Sequence, residues 1–144
     1  MGIKETVTEL CRKYGTRDPF EIARQRRILI TFEPLGTING YYSKSYRTQV
    51  IHINQDLPEQ HQRWTCCHEL GHAILHPKAN TPFLRKNTLF SIDRYEVEAN
   101  RFAVELRYPA QYLLEEFEGC TTNQIAQALA LPVSLVEYAL GKKG

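Results

Sequence analysis

The segment His68-Glu69-Leu70-Gly71-His72 constrains this chain more than any other, because its two histidines can act together only if the segment is helical. Residues four apart on a helix lie on one side, about 6 Å apart along the axis, so the two imidazoles can grip one metal ion. Glu69 could then reach a water on that ion. This pattern is typical of zinc hydrolases. The alternative is a helix with two surface histidines and a solvated glutamate.

The residues around the motif predict a helix with one apolar face. The helix should begin near 57–59, with Asp56 as a candidate cap, and end near His76, because Pro77 disfavours helical geometry before it. Gly71 costs about 1 kcal/mol relative to alanine inside a helix. Either another backbone approaches closely at this position and requires the glycine, or the helix simply tolerates its cost. The apolar face comprises Trp64, Cys67, Leu70, Gly71, Ile74 and Leu75.

Length and composition indicate an ordinary globular protein. A chain of 144 residues suits a single domain over 1–144, with the helical tail 121–140 as part of it. The formal net charge of +2 is too small to demand a nucleic-acid partner. No apolar run is long enough to span a bilayer, and no secretory segment is visible. We therefore expect a cytoplasmic protein without a membrane partner or direct nucleic-acid binding.

The pattern of apolar residues changes from helical to strand-like along the first half of the chain. A helical stripe ends near Gly15, and Asp18 is a candidate cap for a second short helix. Alternation over 28–33, 41–42 and 49–54 then predicts three strands, most simply an antiparallel meander. The strand at 49–54 could lie at a sheet edge and bind an extended substrate by strand addition, or its edge could be covered.

The second half of the chain is predicted to be helical after a loop. The polar stretch 78–87 predicts a mobile loop, and a helix should run from about Asp93 to Arg107. The tail 121–140 predicts two short helices that loosely resemble a helix-turn-helix. We favour core completion or substrate docking over DNA binding, because no basic residue lies between Arg107 and Lys142.

A catalytic zinc takes three protein ligands and leaves a position for water, so one more donor is needed. His76 is too far from His68 on the same helix, and His52 and His61 lie upstream. The later helix offers Glu96, Glu98 and Glu105. Periodicity does not choose between Glu96 and Glu98, but their neighbours differ. Arg94 and Arg101 flank Glu98 as on a solvated ion-pair face, whereas Glu96 lies beside small or apolar residues.

We therefore favour Glu96 as the third ligand of one Zn²⁺ ion, together with His68 and His72. The alternative is that Glu96 forms a capping box with Asp93. Asn100, one turn later, could hydrogen-bond a ligand and so orient it, or it could be a plain surface residue.

Three motifs, in order and at the right separation, resemble the ImmA/IrrE family of bacterial and phage metallopeptidases. They are I-x-I-N over 51–54, H-E-L-G-H-x-x-x-H over 68–76 and E-x-x-A-N-x-F-A-x-x-L-x-x-P over 96–109. The similarity covers roughly residues 15 to 140. It departs from the family at Cys66-Cys67 and Arg107-Tyr108, which stand where other residue types are more common.

The resemblance implies that His68, His72 and Glu96 bind zinc and that Glu69 is the general base of a gluzincin-type endopeptidase. It implies a minigluzincin-like α+β fold. A small three-stranded antiparallel sheet would pack on the HExxH helix and the Glu96 helix, with N-terminal helices and a C-terminal helical pair. Family members act on helix-turn-helix repressors, often of phages or mobile elements. The alternative is a non-proteolytic, metal-stabilised protein that controls a repressor by binding.

Overall fold

The computed structural model describes residues 2–80 and 89–142. Within these ranges the chain forms seven helices and three strands, which confirms the predicted α+β class. Most of the predicted loop 78–87 lies outside the described residues. The elements are α1 (Ile3–Tyr14), α2 (Pro19–Gln25), β1 (Leu29–Glu33), β2 (Gly40–Ser45), β3 (Thr48–Asn54), α3 (Glu59–Leu75), α4 (Leu89–Arg107), α5 (Ala110–Glu116), α6 (Thr122–Leu129) and α7 (Val133–Ala139).

The two N-terminal helices begin and end where their sequence signals predict. Gly15, in the left-handed region at φ 68°, ends α1, because its backbone N–H bonds the carbonyl of Cys11. Asp18 caps α2 by accepting a hydrogen bond from the N–H of Phe20, and Pro19 occupies the first turn.

The sheet has the order β1-β3-β2, with β1 parallel and β2 antiparallel to β3. The predicted all-antiparallel meander is therefore wrong in one pairing. The suggestion that β3 offers an edge to substrate is also wrong, because both of its edges are hydrogen-bonded to neighbouring strands. Ile51 and Ile53 on β3 are completely buried, which favours the central place for this strand. The exposed Leu29 and Phe32 lie on the edge strand β1.

Helix α3 packs against the sheet on one side and against helix α4 on another. Helix α3 ends at Leu75 with His76 as its C-cap, as Pro77 predicts, but its N-cap is Pro58 rather than Asp56. Helix α4 begins at Leu89, four residues before the predicted start at Asp93. Asp93 therefore lies within the helix, and the capping-box alternative for Glu96 is wrong.

Two apolar clusters make up the core of the described residues. One joins the sheet to helices α1 to α4, and its fully buried members include Tyr42, Leu70 and Phe102. The other joins the second half of α4 to helices α5, α6 and α7, around Val104 and Val136. Trp64 packs against both clusters and so connects them.

The C-terminal helical pair completes the second cluster, as predicted. Thr121 and Gln124 form the expected capping box at the start of α6. Ile125 and Val136 are buried, at 3% and 0% exposure, so each helix of the pair turns an apolar face inward. Among the helices in the described ranges, none combines the length and the apolar character that a membrane crossing needs.

Candidate metal centre

Helix α3 presents the three motif side chains at one place. The imidazoles of His68 and His72 meet edge to face, with ring centroids 4.9 Å apart. Glu69 is 3% exposed. One ligand atom from each of the three side chains lies within 4.8 Å of the others. The helical spacing that the sequence predicted therefore brings two ring nitrogens and a carboxylate together.

Helix α4 brings Glu96 between the two imidazoles. One carboxylate oxygen lies 2.8 Å from Nε2 of His68, and the other lies 3.1 Å from Nε2 of His72. Glu98 lies elsewhere, with its carboxylate 3.3 Å from Nε2 of His76. Arg101, the expected ion-pair partner of Glu98, lies over the ring of Tyr138.

Gly71 permits the two helices to approach closely enough for these contacts. A Cβ atom at Gly71 would lie 3.2 Å from both Cα and O of Ala99 and 3.1 Å from Cβ of Phe102. Carbon atoms in ordinary contact lie about 3.5–4.0 Å apart. Of the two explanations for this glycine, the close approach of another backbone is therefore confirmed.

Asn100 contacts the far side of one imidazole. Its Oδ1 lies 2.8 Å from Nδ1 of His68, a ring nitrogen that can donate this hydrogen bond. A donor bond from Nδ1 orients the ring and leaves Nε2 directed at Glu96. The surface-residue alternative for Asn100 is therefore disfavoured.

Burial and hydrogen bonding shift the pKa values of Glu96, His68 and His72 in opposite directions. Burial favours the neutral form of Glu96, but hydrogen bonds with His68 and His72 outweigh it and hold the pKa of this carboxyl far below its usual range. Burial also favours neutral His68, yet the bond to Glu96 raises the pKa of that ring. For His72, burial dominates and lowers the pKa. The pKa values of the two imidazoles therefore shift in opposite directions, although both rings contact the same carboxylate.

The donor set fits a zinc ion. Zinc binds imidazole nitrogen and carboxylate oxygen at about 2.0–2.2 Å in tetrahedral geometry, so its ligand atoms lie about 3.3 Å apart. The contacts of Glu96 with the two rings, 2.8 and 3.1 Å, are within about half an ångström of that separation. Small adjustments would turn these hydrogen bonds into a three-donor metal site.

A cavity of about 380 Å³ opens beside the cluster. Neither Tyr95 nor Tyr108, the tyrosines nearest the Glu96 motif in sequence, is among the described residues that line it. Tyr95 packs on His76 with ring centroids 4.2 Å apart, and Tyr108 packs on Trp64 at 6.3 Å. The cavity is lined by Thr37, Ile38, Asn39, Gly40, Trp64, Thr65, His68, Glu69, Glu96 and Asn100.

Asn54 holds the loop wall of this cavity in place, a role that sequence reasoning missed. Its side-chain amide donates to the carbonyls of Gly36 and Ile38, at 3.0 Å each, and its backbone N–H donates to the carbonyl of Asn39. Its Oδ1 accepts from the N–H of Asp56. The sequence did contain an indication of this role. Asn54 ends a predicted strand, and a polar side chain that is buried there needs hydrogen-bond partners.

The remaining candidate ligands lie away from the cluster. His52 faces the outer side of the sheet, stacked on Tyr41, between Ser43 at 2.9 Å and Glu33 at 2.5 Å. His61 is exposed near the start of α3. Glu105 is buried, and burial raises the pKa of its carboxyl.

Comparison with known proteins agrees with this geometry. Residues 23–140 match the family model of the IrrE N-terminal-like domain, peptidase family M78. The chain is 44% identical to "Uncharacterized immunity region protein 2" of Bacillus phage phi105, over 92% of this chain and 85% of that protein. It is 33% identical to "Metallopeptidase ImmA" of Bacillus subtilis, over 99% of this chain and 86% of that protein.

A third relative is longer. "Radiation response metalloprotease IrrE" of Deinococcus deserti is 29% identical over 98% of this chain but only 44% of its own length. The family model covers most of the chain, and the two nearly full-length alignments exceed 30% identity. The chain therefore belongs to the ImmA/IrrE family of metallopeptidases.

Proposed function

We propose that the chain is a zinc endopeptidase in which His68, His72 and Glu96 hold one Zn²⁺ ion. The observation that carries this proposal is the position of Glu96, whose two carboxylate oxygens each contact Nε2 of a different motif histidine. A carboxylate held between two imidazoles is well matched to a divalent cation. Nitrogen and oxygen donors from two helices are a common zinc set.

Bound zinc would supply Lewis acidity, which lowers the pKa of a water to about 7 and polarises a peptide carbonyl. Glu69 is proposed as the general base. It takes a proton from the attacking water and returns that proton to the leaving amine. Its burial beside the two rings, in the wall of the cavity, suits this role. Asn100 acts indirectly, by fixing the orientation of His68.

We propose a helix-turn-helix repressor as the substrate, which the peptidase would cut to lift repression. The family resemblance supports this substrate, and so does the name of the phage phi105 relative, an immunity-region protein. A repressor acts on DNA, so the peptidase would work in the cytoplasm. The alternative, control of a repressor by binding alone, gives no reason for a buried glutamate beside the donor atoms in an open cavity.

A comparison of three proteins tests the proposal. The unmodified chain, Glu69→Gln and Glu98→Gln are each co-expressed with the proposed substrate, a helix-turn-helix repressor taken from the same phage or mobile element as the gene. Repressor fragments are identified by mass spectrometry, and zinc is measured in each purified protein. We expect about one equivalent of zinc in all three and fragments with every protein except Glu69→Gln. Glu98→Gln is the control, because it makes the same carboxylate-to-amide change on α4, outside the cluster.

Two results would contradict the proposal in different ways. Undiminished cutting by zinc-loaded Glu69→Gln would remove Glu69 from the chemistry. Full derepression by that variant without any repressor fragments would favour control by binding.

A further inference from the structure

The cavity at the metal centre borders on a second one beside α3. This second cavity holds about 570 Å³ and shares three lining residues with the first, Asn39, Trp64 and Thr65. We call it the distal groove. The rest of its lining comes from the start of α3, the end of α4 and the turn between α6 and α7, namely Gln60, His61, Tyr108, Ala128, Leu129, Ala130 and Leu131.

The distal groove differs in chemistry from the metal centre. The described residues that line it include no aspartate, glutamate, lysine or arginine, whereas Glu69 and Glu96 line the first cavity. Trp64 and Tyr108 form an aromatic wall, with their rings stacked 6.3 Å apart. Leu129 and Leu131, from the turn between α6 and α7, add aliphatic surface. Such a lining favours an uncharged, apolar occupant.

The turn between α6 and α7 shapes the far wall. Ala130 adopts the left-handed conformation at φ 57° and ends α6, and the N–H of Leu131 then bonds the carbonyl of Ala126. This tight reversal brings residues 128–131 to the groove. The C-terminal helical pair thus contributes a binding surface in addition to core packing.

The distance between the two cavities suits an extended polypeptide. Trp64 lies one helical turn before His68, about 6 Å along the axis, and Gln60 lies about 12 Å before it. An extended chain advances about 3.3 Å per residue. A chain cut at the metal would therefore reach the far end of the groove with its third or fourth residue from the scissile bond.

We propose that the distal groove binds an apolar or aromatic side chain of the substrate, three to four residues from the scissile bond. The inference rests on the proposed peptidase function, since it assigns the groove to the same polypeptide that enters the metal centre. The two cavities share Asn39, Trp64 and Thr65 in their linings, so a polypeptide that enters the metal centre passes beside the groove, and this favours that polypeptide as the occupant. The groove then selects among substrates, while the metal centre carries the chemistry.

The single tryptophan of the chain, Trp64, lines both cavities, so its emission reports a bound peptide and the variant pair described below assigns that signal to the groove. Its emission is recorded in zinc-loaded Glu69→Gln protein, so that no peptide is consumed. The probes are two pools of capped decapeptides built from glycine, alanine and serine. One pool also carries phenylalanine and leucine, and the other carries aspartate at the same positions. We expect only the phenylalanine and leucine pool to shift the emission of Trp64.

A variant at the groove wall and its neighbour provide the matched pair. Ala128 is exposed on α6 and lines the groove, so Ala128→Arg would place a guanidinium among its apolar side chains. We expect it to weaken binding of the apolar pool about tenfold or more, because desolvating that charge is costly. Gln127, the preceding exposed residue, is not among the lining residues, and Gln127→Arg should bind the pool normally.

The same pools are incubated with protein that retains Glu69, and the products are identified by mass spectrometry. Equal binding of the two pools, or an unshifted Trp64 while the apolar pool is cut, would overturn the groove assignment. A normal Trp64 response without any cleavage would support the groove and overturn the peptidase proposal. The two inferences therefore fail separately.

Discussion

The substitution Gly71→Ala tests whether the close approach of α3 and α4 positions the metal centre. The added methyl group would meet Ala99 Cα and O at 3.2 Å and Phe102 Cβ at 3.1 Å. Two of these atoms belong to the backbone of α4, so no side-chain rotation can relieve the overlap. The helices must separate by a few tenths of an ångström to restore carbon contacts of about 3.5–4.0 Å.

Two opposing effects determine the change in stability. Alanine is about 1 kcal/mol better than glycine inside a helix. Overpacking of a close contact costs about 1–3 kcal/mol. We therefore expect Gly71→Ala to lower the free energy of unfolding by about 0–2 kcal/mol. The same substitution at a helical position without close neighbours would raise it.

The same displacement should reach the metal centre. Glu96 lies one turn before Ala99 on α4, so a shift of that helix moves the carboxylate away from the two imidazoles. Metal sites require ligand placement within about 0.5 Å. We expect zinc affinity to fall about tenfold, a difference of about 1.4 kcal/mol.

Urea unfolding in the presence of a chelator measures the free energy of unfolding of the metal-free protein. A zinc titration of the folded protein measures its affinity for zinc. The control is a pair of variants at Val97, which is 48% exposed in the middle of α4. The difference between Val97→Gly and Val97→Ala gives the helix propensity term alone. If Gly71→Ala stabilises the protein by as much as that difference, the interhelical contact does not limit the packing, and the argument is refuted.

Three further predictions concern individual carboxylates and an amide. Glu96→Ala should lose zinc, as measured by metal analysis after dialysis, whereas Glu98→Ala should keep it; the reverse result would exchange their roles. Asn100→Ala should weaken zinc binding about 10- to 100-fold, because it removes the hydrogen-bond partner of His68. Asn100→Asp keeps an oxygen acceptor and should weaken zinc binding less. Equal effects of the two variants would mean that Asn100 contributes only by packing. Burial raises the pKa of Glu105, so its ionisation in the folded state destabilises the protein above the carboxyl pKa of the unfolded chain. Glu105→Gln should therefore be more stable than the unmodified chain in urea at pH 7 and lose that advantage as the pH falls below about 4; an advantage that does not change with pH would contradict this.

Much of the metal centre could be predicted because its geometry is local. Helical periodicity places His68 and His72 on one side, and Pro77 sets the end of their helix. The neighbours of Glu96 also favoured it over Glu98 as a ligand, and Glu96 is the one that contacts His68 and His72, while its role as a ligand stays a prediction. These inferences needed only spacing along a single helix.

Features that depend on contacts distant in sequence escaped prediction. The parallel pairing of β1 with β3 joins strands separated by β2, and no local pattern distinguishes this arrangement from a meander. The neighbouring arginines suggested a solvated ion-pair face for Glu98, but His76, one turn beyond the motif on another helix, lies next to it. The charge pattern of a helix indicates which of its own side chains are neighbours. It does not indicate which residues of another helix pack against them.

The hydrogen bonds of Asn54 explain why a polar residue is buried at the end of the central strand. Its amide donates two hydrogen bonds to loop carbonyls, and its carbonyl oxygen accepts one from the N–H of Asp56. An aspartate could keep the accepted bond but could not donate to Gly36 or Ile38. A leucine would leave these carbonyls without their side-chain donor, and each buried, unsatisfied group costs about 1–3 kcal/mol. The asparagine therefore ties the central strand of the sheet to the loop that forms one wall of the cleft, so the sheet shapes the substrate side of the site while α3 and α4 supply its metal side.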